Sequence, residues 1–206
     1  IYIWFYPYDS SHKLLNKKEI KISKLLSERS RKQFTFSRSC ARLALSELFS
    51  IDPLNVPLNA NPGEPPTLDN NAGHLSFSHC NDAFVIAWSS DNIGIDIENS
   101  KRRLRNLDAL YKMFSKLEIN YLNSFTNNNL HTFFLSNWVL MESSIKWSKG
   151  NLFRDIKNWN IKNNFTLATN ENLNLQTCTR LLVHKNYFIG ISSNKINSDI
   201  NTIICD

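Results

Sequence analysis

Residues 93–98 read Ile93-Gly94-Ile95-Asp96-Ile97-Glu98. Isoleucine alternates with glycine or an acid, the period of two of a β-strand, in which neighbouring side chains point to opposite faces. The three isoleucines are expected in the core, with Asp96 and Glu98 together on the other face. At a rise of ~3.3 Å per residue their Cα atoms would lie about 6–7 Å apart. Two carboxylates so placed suit one hard cation such as Mg²⁺; without a cation or a basic partner they repel each other. Taken alone, the hexapeptide reads more plainly as an exposed polar strand face.

Working outward, Leu75 and Phe77 mark a preceding strand and Ala83–Trp88 another, and Ser89-Ser90-Asp91-Asn92 turns the chain into the hexapeptide. Ile1–Tyr6 is an aromatic, β-prone start that Pro7 ends. Leu14–Phe36 carries charge in a broken helical pattern. Ser37–Phe49 puts Ala41, Ala44, Leu45, Leu48 and Phe49 on one helical side, with Ser37 as the expected N-cap. Five prolines between Asp52 and Asn71 predict a loop. Beyond the hexapeptide, Leu107, Leu110, Met113 and Phe114 predict a short helix, and Ser115-Lys116-Leu117-Glu118 is a capping-box pattern. A long helix is expected from about His131 to Lys149, ended by Gly150 at C′. Phe165–Ala168, Arg180–His184 and Tyr187–Ile191 read as closing strands. The element order suggests an α+β protein of two similar lobes, 1–92 and 93–206, each a small, mostly antiparallel sheet packed on a long helix.

The chain has 206 residues, 42% of them hydrophobic, with 13 Phe and 5 Trp, enough for a substantial core. No apolar run approaches the roughly 18 residues of a membrane span, and the first residues lack the charged start of a signal peptide. Cys40, Cys80, Cys178 and Cys205 are far apart and form no CxxC pair, which argues for free thiols in a reducing cytoplasm. The net charge of +6 concentrates at Lys17–Arg42 and Lys101–Arg105. Such a surface suits a phosphorylated ligand or an acidic protein, and no nucleic-acid-binding module is present.

Two further pieces carry chemistry. Trp138, Glu142 and Lys146 are spaced i, i+4, i+8 and line one helical stripe, which alone indicates only an exposed Glu–Lys pair. Leu75-Ser76-Phe77-Ser78-His79 ends a strand on Ser and His, where a histidine can contact a phosphate but is more often merely structural; no glycine-flanked elbow makes Ser78 a nucleophile.

Together these pieces resemble the phosphopantetheinyl transferases of the surfactin-synthetase-activating (Sfp) type. That family shows Gly-Lys-Pro, then Asn-x-Ser-His, Gly-Ile-Asp-x-Glu and Trp-x-x-Lys-Glu-Ser/Ala-x-x-Lys. Here they appear as Gly63-Glu64-Pro65, Ser76-Phe77-Ser78-His79, Gly94–Glu98 and Trp138–Lys146, and Phe36-Ser37-Arg38 and Phe114-Ser115 with Glu118 also match; about residues 28–152 are covered. The resemblance implies two lobes related by a pseudo-twofold axis, with coenzyme A in the cleft between them. It implies a Mg²⁺-dependent (or Mn²⁺-dependent) enzyme that moves phosphopantetheine from CoA to a serine of an acyl or peptidyl carrier protein and releases 3′,5′-ADP. Asp96, Glu98 and Glu142 would hold the metal. Glu142 would be the base, with Lys146 and Asp96 completing the catalytic set. Arg38, Gly63, Pro65, Ser78 and His79 would contact CoA along with Asp96, Glu142 and Lys146, with Arg42 a further phosphate contact. The expected protein is a cytoplasmic monomer, away from membranes and nucleic acid. Met141 and Glu64 stand where the family has lysine, and Ser76 where it has Asn. An inactive CoA- or carrier-binding homologue, or an unrelated Mg²⁺-dependent phosphodiesterase or nucleotide-binding enzyme, are the competing readings.

Overall fold

The computed structural model describes residues 1–8, 13–103, 127–196 and 200–205. The expected short helix at Leu107–Phe114, the Ser115–Glu118 capping box and Arg105 lie outside them. Among the described residues are four α-helices and two main sheets.

The first sheet contains β1 (Tyr2–Pro7), β4 (His74–His79), β5 (Ala83–Ser89) and β11 (Asn201–Ile204), in the order β11-β1-β5-β4. β11 runs parallel to β1, and the other pairs are antiparallel. The C-terminal strand thus completes the sheet that the N-terminus begins. The second sheet, wholly antiparallel, is ordered β6-β10-β9-β8-β7: β6 (Ile93–Asn99), β7 (Trp159–Lys162), β8 (Leu167–Asn170), β9 (Leu175–His184) and β10 (Tyr187–Ser193). The expected loop before β4 holds a 3₁₀ turn, Pro53–Asn55, and a small pair, β2 (Leu58–Asn59) with β3 (Thr67–Leu68). β7 and β11, four residues each, are too short to give a periodic signal.

Helix α1 spans Lys17–Leu25 behind a capping box, in which Asn16 Oδ1 accepts from Glu19 N and Glu19 Oε2 accepts from Asn16 N. Helix α2 spans Glu28–Phe49 with Ser27 as its N-cap. It therefore starts nine residues before the expected Ser37, which is buried mid-helix and donates back to the Phe34 carbonyl. Nothing between Glu28 and Ser37 breaks a helix, so the chain stays helical as far back as Ser27. Helix α3 spans Asn127–Trp147, and α4 is the short Leu152–Asp155. The left-handed residue after α3 is Lys149 (φ 55°), not the expected Gly150. Lys149 N donates to Lys146 O and Gly150 N to Ile145 O, the paired bonds of a Schellman turn. A Cβ on Gly150 would lie 2.6 Å from Asp155 Oδ2, so a larger residue there would push that carboxylate aside.

Three apolar layers follow from strand alternation. Trp4, Tyr6, Leu75, Phe84 and Ile86 pack against Phe36, Cys40, Ala41 and Leu45 of α2. The opposite faces of these strands carry Ile3, Phe5, Val85 and Ala87, which meet Ile93, Ile95, Ile97, Ile189 and Ile191 of the second sheet. On the far side of that sheet, Val139, Leu140, Met141 and Ile145 of α3 cover Phe188, Trp159 and Ala168. The order across the molecule is α2, first sheet, second sheet, α3, which covers both faces of each sheet.

β6 is an edge strand, and an edge leaves backbone N–H groups to satisfy. Ser76 Oγ accepts from Ile95 N (3.0 Å) and Ser78 Oγ from Ile97 N (3.3 Å), so two alternate serines of β4 close that edge. The isoleucines of β6 face the inter-sheet core as expected, but Gly94 and Asp96 face α3 rather than solvent. Two glycines bring α3 down onto the sheet: a Cβ on Gly94 would lie 1.9 Å from Ser143 O, and one on Gly190 2.3 Å from Val139 O.

Candidate active site

Asp96 sits on β6 beneath α3 and is only 3% exposed. Its Oδ1 accepts from Ser78 Oγ at 2.6 Å and from Lys146 Nζ at 2.7 Å. Its Oδ2 is buried, with no donor but the neighbouring Glu142 carboxyl. Lys146 uses its other donors on Ser78 Oγ (3.0 Å) and the Ile95 carbonyl (3.1 Å). The helical stripe therefore faces β6. At its far end Trp138 lies under the Arg102 guanidinium (5.8 Å to the ring centroid), and Arg102 in turn pairs with Glu98. The sequence offered Lys146 to Glu142 one turn earlier, but the structure gives it to Asp96.

Glu142 lies midway along this stripe, beside Asp96. Burial, then the negative charge of Asp96, push its carboxyl up to about 8, while Lys146 and Arg102 pull the other way. A carboxyl raised this far binds a proton in the folded protein that the unfolded chain has already lost. Stability should therefore fall as pH rises from the ordinary carboxylate range to about 8. Glu142→Gln should flatten that fall, leaving the variant more stable than the parent near pH 8.5 and level with it near pH 4. Parallel pH profiles of urea unfolding for the two proteins would contradict this.

The remaining predicted residues divide by environment. Arg38 is buried on α2 between Phe34 and Phe77, 4.7 and 5.7 Å from their ring centroids. Its Nε donates to Ala60 O (2.7 Å) and its Nη1 to Ser37 Oγ (3.1 Å), which ties the loop bearing Gly63 and Pro65 to the helix. Burial lowers its pKa to about 10, so it stays cationic at neutral pH. Gly63 and Pro65 are exposed, and Glu64 accepts from Asn61 Nδ2. His79 is open to solvent at the end of β4. Partial desolvation of its ring, then the Lys146 charge, hold its pKa below the ordinary value, so a phosphate would meet a mostly neutral imidazole that can still donate one N–H.

Two expectations are corrected, and one departure from the family pattern is explained. Ser78 does not offer a free hydroxyl to CoA: its one donor goes to Asp96 and its two acceptor sites to Lys146 and Ile97 N. Arg42 is fully buried, bidentate to Glu19 and bonded to the Pro53, Leu54 and Val56 carbonyls, so it braces the fold and cannot reach a phosphate. Met141 lies in the core with Ile145, Trp159 and Ala168, off the stripe that faces the carboxylates. A lysine there would be buried on the wrong side of α3, so Met141 removes no cation from this site.

Residues 92–192 match the 4′-phosphopantetheinyl transferase superfamily. The matched stretch is just under half of the chain and contains Asp96, Glu98, Glu142 and Lys146. Arg38, Gly63, Pro65, Ser78 and His79 lie before it. The match supports transfer of the phosphopantetheinyl group in general, and it spans both sides of the α3–β6 contact. No curated protein matches the sequence. Among the described residues no helix is long and apolar enough to cross a membrane.

Fit to a metal ion depends on which carboxylates are available. Among the described residues no three His, Cys, Asp or Glu side chains stand as a metal-holding group. Glu98 is engaged by Arg102, which leaves Asp96 and Glu142 as the facing pair. These two do fit a hard cation: both are oxygen donors, one buried Asp96 oxygen has no donor but Glu142, and burial together with the Asp96 charge raises the Glu142 pKa. Sequence reasoning missed the Ser78 and Arg102 contacts. Only Arg102 left a trace, as a basic residue four positions after Glu98.

Proposed function

We propose that this protein transfers the 4′-phosphopantetheine group of coenzyme A to a serine hydroxyl of an apo acyl or peptidyl carrier protein, in the manner of the Sfp-type enzymes and with Mg²⁺. The observation that carries this reading is the facing pair Asp96 and Glu142 with Lys146, inside the stretch that matches the superfamily. In this reading the lobes are 1–92 and 93–206, with β11 of the second completing the sheet of the first, and CoA lies in the cleft between them. Asp96 and Glu142 would hold the ion, with Glu98 a third carboxylate if freed from Arg102. When bound, Mg²⁺ would draw charge from the pyrophosphate and stabilise the departing 3′,5′-ADP.

The chain's own groups supply the rest. Glu142 takes the proton of the carrier serine as that oxygen bonds to the β-phosphorus and the bond to 3′,5′-ADP breaks. A carboxyl near pKa 8 is a far better proton acceptor than an ordinary one, provided it has first lost its own proton. Lys146 exchanges one of its internal hydrogen bonds for a phosphate oxygen. Arg38 and His79 bind the 3′-phosphate beside the Gly63–Pro65 loop. The exposed Lys17, Lys18, Lys21, Lys24 and Arg29 of α1 and α2 offer an acidic carrier a docking face.

The test is the intact mass of apo carriers of fatty-acid, polyketide and peptide type, after incubation with the protein, CoA and Mg²⁺. A gain of one phosphopantetheine group is expected, abolished by EDTA and by changing the carrier serine to alanine. CoA binding without any transfer across all three carriers would instead identify an inactive binder, the reading that the Arg102–Glu98 pair favours.

A further inference from the structure

We propose that Ser78 is a positioning residue that fixes which oxygen of Asp96 is presented to the metal. The inference rests on the reading of Asp96 and Glu142 as metal ligands. An aspartate carboxylate turns readily about its terminal bond and can present either oxygen. Here both polar neighbours converge on one of them: Ser78 Oγ donates to Oδ1 at 2.6 Å and Lys146 Nζ at 2.7 Å. Oδ2 is left buried, with no donor but the neighbouring Glu142 carboxyl. Lys146 is part of a flexible, one-third exposed side chain and has other work to do, whereas Ser78 is buried and short. The serine is itself held in place, because its lone pairs accept from Ile97 N (3.3 Å) and Lys146 Nζ (3.0 Å). β4 thus holds the ligand on β6 from across the gap between the two sheets. When Lys146 turns toward a phosphate, Ser78 is the contact that keeps Oδ1 occupied and leaves Oδ2 as the oxygen presented to the ion.

Groups that orient a metal ligand typically change metal affinity by about 10–100-fold when removed. The probe is Mn²⁺ alone, titrated into the full chain and followed by the electron paramagnetic resonance signal of the free ion. Ser78→Ala should weaken Mn²⁺ binding by about tenfold or more, and Ser78→Thr, which keeps the hydroxyl, should recover most of it. Binding of CoA without metal, measured by calorimetry in EDTA, should be unchanged in both. Should Ser78→Ala fail to fold, Ser78→Cys keeps the volume but donates weakly, and the same loss of Mn²⁺ affinity is expected. Unchanged Mn²⁺ affinity with weakened CoA binding would make Ser78 a CoA contact and overturn the inference. Unchanged affinity for both, with only a lowered melting temperature, would reduce the residue to a structural one. If the parent protein binds no Mn²⁺, the metal-ligand reading falls first and this inference falls with it.

Discussion

Glu142→Gln should lower phosphopantetheine transfer by about a thousandfold, the middle of the range for loss of a general base. Glutamine keeps the volume and a carbonyl oxygen, so Ile145 and Met141, which flank it on α3, should stay packed against β7 and β8. What disappears is the negative charge and the ability to take a proton. Both matter because Glu142 lies beside Asp96, where a bound cation can replace the proton that burial and the Asp96 charge keep on Glu142. Mn²⁺ affinity should therefore drop along with the rate. Single-turnover transfer by intact mass, with a thermal-melt control for folding, decides the matter. Turnover close to that of the parent, with unaltered metal dependence, would remove Glu142 from both roles.

The second large effect is on the fold. Gly94→Ala would put a methyl group 1.9 Å from the Ser143 carbonyl oxygen and 2.6 Å from Trp147 N, both backbone atoms of α3. No rotamer change can relieve a clash between Cβ and backbone, so the helix must lift from β6. We expect a cost of about 3 kcal/mol or more, at the upper end for overpacking. For a chain of this size that corresponds to a melting temperature about 6–12 °C lower. Activity should fall further than stability alone explains, because Glu142 and Lys146 ride on the displaced helix while Asp96 stays on the strand. Gly63→Ala is the internal contrast. Gly63 adopts φ +80°, and a methyl group there would meet nothing within 4 Å, so only the backbone strain of about 1–2 kcal/mol applies. Equal melting temperatures for the two variants would show that α3 does not rest on Gly94 as the distances indicate.

The departures at Glu64 and Met141 take different meanings once the fold is known. Glu64 is exposed in the loop that Arg38 anchors through Ala60, so a lysine at that place could meet a ligand. Met141 could not, since its side chain fills the layer between α3 and the outer strands of the second sheet. Sequence comparison treats both as lost cations; helix periodicity separates them.

The strands around the hexapeptide, the long helix and its Trp138–Glu142–Lys146 stripe were legible because each depends on periodicity over a few residues, which backbone geometry imposes locally. The start of α2 was misplaced because Ser37 looks like a cap in isolation, while the true cap, Ser27, precedes a charged stretch with little apolar signal. Gly150 drew the helix end to itself, but Lys149 takes the left-handed conformation. The sequence by itself determined that Asp96 and Glu98 leave β6 on the side opposite the isoleucines, and that Glu142 and Lys146 share one side of α3. Only the tertiary structure decided that these two sides face each other. It also decided that Lys146 pairs with Asp96 across 50 residues and that Ser78 holds Asp96 across 18. The physical reason is that strand and helix periods set the direction of a side chain relative to its own backbone. Its partner depends on how two elements dock, and here that is set by what Gly94 and Gly190 leave room for.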